Sequence, residues 1–363
     1  MRNRRSTGDS GAARLTFDRV TVQTVRKDFY YGLNFLNVWN GLNHIAVNPM
    51  EYTTLGKTGL KVSVAGLGCG GPSRLGLRDS SQSQNRAIAL VRQAIDLGVN
   101  FLDTAQTYGT EPVVGKAITG IPRDRLIIST KKTLPSPGHS NPEVEVKKGL
   151  EQSLKLLGTD YIDIYHLHGV EPQDYDFARE RLMPAMVQLR EQGKIRFIGV
   201  TEGFVPDPSH QMLQQSPKED LWDVVMIGFN LLNPSARRTL FPLTMEKRVG
   251  VLNMFAVRRA LSQADGLRGV VADLLEKGAI PRGSTNSEDL PDFIWCQSGA
   301  ATLPEAAYRF CRHEPGVDVV LTGTGNPEHL KSNVESILKP PLPKNVLQRL
   351  EELFGDVDYL TGN

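Results

Sequence analysis

Between residues 62 and 323 a short apolar run recurs eight times, and this recurrence constrains the fold more than any other feature of the chain. The runs are VSVAGL (62–67), NFLD (100–103), LIIST (126–130), YIDIYHLH (161–168), IRFIGV (195–200), DVVMIGF (223–229), VGVLNMF (249–255) and VDVVLTG (317–323). Each is short enough to be a strand buried on both faces, and amphipathic stretches such as 82–97, 142–157 and 178–192 lie between them. The segment SNPEVEVKKGL offers Ser140 or Asn141 as a helix cap, with proline and glutamate in the first turn. Strands alternating with helices imply a parallel sheet. Eight such units in about 300 residues imply a closed (β/α)8, or TIM, barrel, which typically needs ~250 residues plus insertions. The preceding EYTTLGKTGLKVS reads as a β-hairpin turning at Gly56-Lys57-Thr58-Gly59, placed to plug the bottom of the barrel.

The pattern begins at Met50, so the expected barrel domain is 50–363. Residues 1–49 read as an extension, disordered or produced by a misplaced start, because DFYYGLNFLNVWNGLNHIAV shows no helical period. The opening MRNRRSTGDSGAARL has arginines but no apolar core behind them, which argues against a secretory signal. The segment 281–300 reads as a long loop in the seventh unit. With 42 basic and 40 acidic residues, nothing points to nucleic acid or a membrane surface as a partner. Cys69, Cys296 and Cys311 lack disulfide or metal spacing, so a reducing, cytoplasmic setting and no metal site are expected. Oligomeric state leaves no trace in the sequence.

GLGCGG (66–71) matches the G-x-G-x-x-G dinucleotide fingerprint, but its context fails. That motif needs its last glycine at a helix start, whereas Gly71 is followed by Pro72-Ser73-Arg74-Leu75-Gly76.

In a barrel of this kind the chemistry sits at the C-terminal ends of the strands. The second run ends in Asp103, and its loop brings Tyr108. The third ends in STKKT, with Lys131 beside Lys132, and the fourth carries His166 and His168. A phenol titrating near pH 10 is a weak proton donor. A neighbouring ammonium favours the phenolate, and a carboxylate can hold that ammonium in place. A neutral imidazole can orient a carbonyl oxygen. The set suits protonation of a carbonyl that is accepting hydride. Alternation puts 166 and 168 on one face and so does not choose between the histidines.

VNFLDTAQTYG, IISTK, DIYHLHG, LGKTGLKVSVAGLGCGG and LTGTGNPEHLKSNV together resemble the aldo-keto reductases, over residues 51 to 338. The resemblance implies reversible reduction of an aldehyde, ketone or sugar by NAD(P)H. It carries over a tetrad of Tyr108 as general acid/base, Lys131 and Asp103 tuning it, and His168 positioning the carbonyl. It selects Lys131 over Lys132 by the preceding serine-threonine pair, and His168 over His166 by its spacing from Asp163.

The same resemblance implies cofactor contacts, several of them through altered residues. The turn Gly68-Cys69-Gly70-Gly71 would let backbone approach the cofactor. Thr201 and Glu202 stand where a serine-asparagine pair usually holds the nicotinamide amide, and Met226 stands in place of a glutamine. Met254, beside Phe255, replaces a stacking aromatic, and Arg258 or Arg259 would reach the pyrophosphate. Gly323, Thr324, Gly325, His329 and Asn333 belong to the cofactor clamp. With no lysine or arginine at 323, 325 or 329, the balance leans to NAD(H) over NADP(H), and Gly325→Arg becomes the natural test. The alternative reading is a non-catalytic barrel that binds the cofactor as a redox-sensing subunit. A metal-dependent or paired-acid hydrolase or isomerase is a further one.

Overall fold

The computed structural model describes residues 48–79, 83–280, 285 and 289–363. A hairpin of β1 (Tyr52–Thr54) and β2 (Lys61–Ser63) pairs antiparallel, Tyr52 opposite Ser63. Eight parallel strands then close into a barrel: β3 (Ala65–Gly68), β4 (Phe101–Asp103), β5 (Ile127–Thr133), β6 (Ile162–Val170), β7 (Ile195–Glu202), β8 (Val224–Gly228), β9 (Gly250–Met254) and β10 (Val319–Thr322). Strand β10 pairs with both β9 and β3, so no edge remains. The helix Gln84–Asp96 illustrates the outer ring, burying Ala87, Leu90, Val91 and Ala94 on one stripe against the sheet.

Alternation along each strand sorts side chains into two cores. Even-numbered residues of β4 and β5 (Leu102, Ile128) face the helices, while Phe101 and Ile127 face inward with Ile164, Val224, Leu252 and Val319. The hairpin's Leu55, Leu60 and Val62 pack into that inner cluster from below. This seals the bottom, so the opposite rim is the end left for chemistry.

Three details differ from the expectations above. The first apolar run is two elements, since Val62 and Ser63 belong to the hairpin and the barrel begins at Ala65. The 281–300 segment contains a helix, Asp289–Ser298, where a loop was expected. Leu290 and Ile294, one helical turn apart, are buried and hold it, and Pro291 lies in its first turn, where proline is tolerated. The packed chain also reaches back past Met50, because Asn48 Nδ2 donates to the Leu338 carbonyl at 3.1 Å. Residues 1–47 lie outside the described residues. Among the described residues, no helix is long and apolar enough to cross a membrane.

Candidate active site

The register of β4, β5 and β6 brings the tetrad together. Asp103 lies opposite Ser129, and Lys131 opposite His166. Asp103 and Lys131 share the inward face, one and two steps above the Phe101–Ile127 layer along their strands. Their side chains form a buried pair, Lys131 Nζ to Asp103 Oδ2 at 2.6 Å. Lys131 Nζ also donates to the Thr104 carbonyl at 2.8 Å, and Ser129 Oγ donates to Asp103 Oδ1 at 2.7 Å. Tyr108 sits in a short 3-10 turn, half-buried, with its ring centroid 5.1 Å from the Lys131 ammonium. Its Oη is 3.3 Å from His168 Nε2, and the two rings meet edge to face.

Geometry separates the competing residues. Lys132 points outward, where its stem lies against Gly149 of the helix Pro142–Leu157. His166 is fully buried below the rim, and its ring fills the space that a side chain at position 199 would need. Burial holds it neutral, well below the usual imidazole range.

Burial followed by the Lys131 charge lowers His168 to about 3, so its imidazole is neutral at physiological pH. Burial raises the Tyr108 phenol above its ordinary value, with Lys131 the strongest opposing influence. The Asp103 carboxyl is likewise raised by burial against the pull of Lys131. Burial works against the Lys131 ammonium, but Asp103 and then Tyr108 more than offset it and raise its pKa. The expected lowering of the phenol by the ammonium is thus present but outweighed by desolvation.

A stability consequence follows from His168. Its pKa is depressed from 6.5 to about 3 on folding, so the unfolded chain binds the proton first as pH falls. The stabilisation is complete above about pH 6.5 and is lost progressively towards pH 3. Denaturation midpoints measured across that window should fall less steeply in His168→Gln than in the parent. Parallel curves would contradict the assignment.

The residues expected to hold a cofactor separate into three groups. Some are committed elsewhere. Thr201 Oγ1 accepts the Gly169 N–H at 2.7 Å, bridging β6 to β7. Glu202 does not face a ligand: its buried carboxylate accepts the Gly228 N–H at 2.7 Å and meets His210 Nδ1 at 2.9 Å. The Cys69 thiol is buried and directed at the Leu67 carbonyl, and Gly70 packs on the Tyr108 ring. Met226 and Met254 close the inner core from above.

Others line the rim by backbone. A side chain at 323 would meet the Gly68 carbonyl at 2.7 Å, and one at 325 would meet the Gly76 Cα at 2.5 Å. Gly325→Arg is therefore sterically impossible without moving the turn, which removes it as a test of cofactor choice. The Thr324 hydroxyl accepts the Asn326 N–H, and Asn326 Oδ1 caps the N–H groups of Glu328 and His329 at the start of the helix Pro327–Ile337. Asn333 Nδ2 donates to Thr322 Oγ1, and the His329 side chain is exposed.

A third group has spare donors. Arg258 stacks on Phe255 with its guanidinium carbon 3.9 Å from the ring centre, and Arg258 Nε donates to Asn363. Its Nη1 is buried with no hydrogen-bond partner among the described residues. A guanidinium held this way fits an anionic group such as a pyrophosphate. Phe255 has φ of 65°, a strained conformation for an aromatic residue and one that recurs at functional sites. Arg259 begins the short helix Arg259–Ser262. A basic group also stands beside the clamp, from a different helix: Arg86 shares a cavity of about 340 Å³ with Gln93, Gly325, Asn326 and Pro327.

Sequence reasoning missed Ser129 and His210, whose ring stacks on Phe204. Ser129 was accessible, since it lies two residues before Lys131 and so on the same face. His210 carries no signal, because it sits in an irregular loop eight residues beyond its partner.

Comparisons with known proteins agree with the barrel fold. Residues 67–354 match the family model described as the aldo/keto reductase family. The chain is 29% identical over 328 residues to L-galactose dehydrogenase of Arabidopsis thaliana, covering 87% of this chain and 98% of that protein. An aldo-keto reductase from Bacillus halodurans in its holo form superposes with a TM-score of 0.64 at 24% identity, covering 86% of this chain and all of that one. An aldo/keto reductase from Klebsiella pneumoniae, solved with NADP and acetate, gives 0.58 at 24% identity, covering 84% of this chain and 95% of that one.

Proposed function

The chain belongs to the aldo/keto reductase family and is an NAD(P)-dependent oxidoreductase, and from that premise we propose that it interconverts a carbonyl and its alcohol with Tyr108 as general acid/base. The observation that carries the reading is the 3.3 Å approach of Tyr108 Oη to His168 Nε2 above the buried Lys131–Asp103 pair. When bound, the nicotinamide cofactor supplies or takes up the hydride. This chain's own residues manage the proton. A carbonyl oxygen seated within reach of both Tyr108 Oη and His168 Nε2 receives the phenolic proton as negative charge develops on it. Lys131 stabilises the phenolate left behind. Asp103, fixed by Ser129, keeps the ammonium charged and in place. Arg258 and the rim backbone of 323–325 are the residues suited to hold the cofactor's phosphates.

A sugar or another small aldehyde or ketone is the substrate class favoured here, supported by the similarity over most of the chain to an L-galactose dehydrogenase. The lean towards NAD(H) gains no support from the comparisons, and Arg86 stands beside Gly325, supplying an arginine where positions 323, 325 and 329 have no lysine or arginine. The reading is therefore written for both cofactors. It is tested by following NADH and NADPH oxidation with aldehydes, ketones and aldoses, and NAD and NADP reduction with the alcohols and aldoses. A protein that binds NAD(P)H yet turns over none of them would favour the non-catalytic alternative.

The direction of the Tyr108 shift sets the pH dependence. A phenol raised above its ordinary value stays protonated through neutral pH. Carbonyl reduction should then be flat across neutral pH and decline only on the alkaline side. Alcohol oxidation, which needs the phenolate, should climb as pH rises. Parallel profiles for the two directions would count against Tyr108.

A further inference from the structure

The turn after β3 takes an unusual path. Arg74, Leu75 and Gly76 occupy the left-handed region in succession, with φ of 44°, 59° and 86°. Two of the three are not glycine, a local strain that persists only where the surroundings over-determine it. They do so here. Leu75 is buried in the outer core, the Cys69 N–H donates to the Asp103 carbonyl at 2.8 Å, and the Arg74 N–H donates to the Gly70 carbonyl at 3.2 Å. At one end the turn lies on the cofactor-clamp segment, where Gly76 leaves no room for a side chain at 325. At the other end Gly70 lies flat against the phenol. A methyl group there would stand 2.6 Å from Tyr108 Cζ and 2.7 Å from its Cδ2.

We infer that Gly70 is a positioning residue for Tyr108: its backbone is the wall that sets the plane of the phenol ring, and the left-handed turn Arg74–Gly76 holds that wall in place. This rests on the reading of Tyr108 as the acid/base. The role differs from the cofactor contact expected for a glycine in this motif. Three sides of the ring are thereby defined, with Gly70 against one face, the Lys131 ammonium near the ring at 5.1 Å and His168 at the hydroxyl. A tyrosine in a half-buried turn has otherwise free choice of ring orientation. A displacement near 1 Å of a reacting group is enough to cost about 10²-fold in rate.

The test is a coupling experiment on the full chain. Gly70→Ala should lower kcat at least about tenfold, while NADH and NADPH dissociation constants, read by fluorescence titration, stay within about twofold. Its melting temperature should drop, and the drop should vanish when the same substitution is made in a Tyr108→Ala background, because the two residues touch. Should Gly70→Ala fail to fold alone, the double variant should fold. Gly158→Asn, at the end of the helix Pro142–Leu157, is the control. Position 158 has φ of 64° with nothing within 4 Å of an added Cβ, and asparagine tolerates that conformation, so turnover should be unchanged. Equal melting losses in both backgrounds, or an unfolded double variant, would overturn the inference. So would a kcat loss matched by lost cofactor affinity, which would return Gly70 to the cofactor site. Full turnover in Gly70→Ala with turnover lost in Tyr108→Phe would remove the positioning role alone. Full turnover in Tyr108→Phe would remove the functional reading itself.

Discussion

Tyr108→Phe should fold normally, bind NAD(P)H and lose about 10²–10⁴ in turnover, the usual contribution of general acid catalysis. The substitution removes one oxygen and leaves the ring. Packing against Gly70 and the edge contact with His168 both involve the ring, so the architecture has little reason to change. The loss is confined to the hydroxyl that stands 3.3 Å from His168 Nε2. The decisive measurements are kcat for carbonyl reduction and the cofactor dissociation constant, on the same preparation. Turnover close to the parent value would mean that another group delivers the proton, and the tetrad would lose its centre. A parent protein with no turnover to lose, despite tight cofactor binding, would point to the redox-sensing alternative.

The barrel was readable because its signal is repetitive: eight runs, each bounded by turn residues, leave little choice of topology once strands and helices alternate. Boundaries were less legible where one apolar run served two elements, as at Val62 and Ala65. The 281–300 segment misled because serine, proline and glycine dominate its ends, whereas the burial of Leu290 and Ile294 decides the middle. The tetrad was legible through its family motifs, and the structure adds the reason the four residues meet. Asp103, Ser129 and Lys131 obey a period of two across registered strands. The altered cofactor contacts were the least legible part. Whether Glu202 faces a ligand depends on His210 and Phe204, from the loop after β7, and on Gly228 of β8. No local pattern encodes such a meeting. Gly70 illustrates the same limit, since a glycine in a motif announces that something comes close, and only the structure names Tyr108 as the neighbour.

The buried pair beneath the phenol offers the sharpest separation of stability from chemistry. Lys131 is fully buried, and the Asp103 side chain is only 5% exposed. Removing one partner leaves an uncompensated charge, a change that typically costs about 3–5 kcal/mol. Asp103→Asn and Lys131→Met should each lose stability on that scale in urea denaturation at neutral pH. Among the described residues, the Lys131 variant strands a carboxylate held by Ser129 Oγ, and the Asp103 variant strands an ammonium still bonded to the Thr104 carbonyl. The double variant removes both charges, and such replacements are often neutral or stabilising. It should therefore recover most of the lost stability. Turnover should not recover with it. Without the ammonium the phenolate has no counter-charge, and Tyr108 stays in the raised range that burial alone dictates. All three variants should fall by about 10² or more in kcat, in keeping with the loss of a tuned acid/base. If the double variant loses the sum of the single losses, the pair is not a coupled unit. If it regains turnover along with stability, Lys131 serves the fold and the proton chemistry belongs elsewhere.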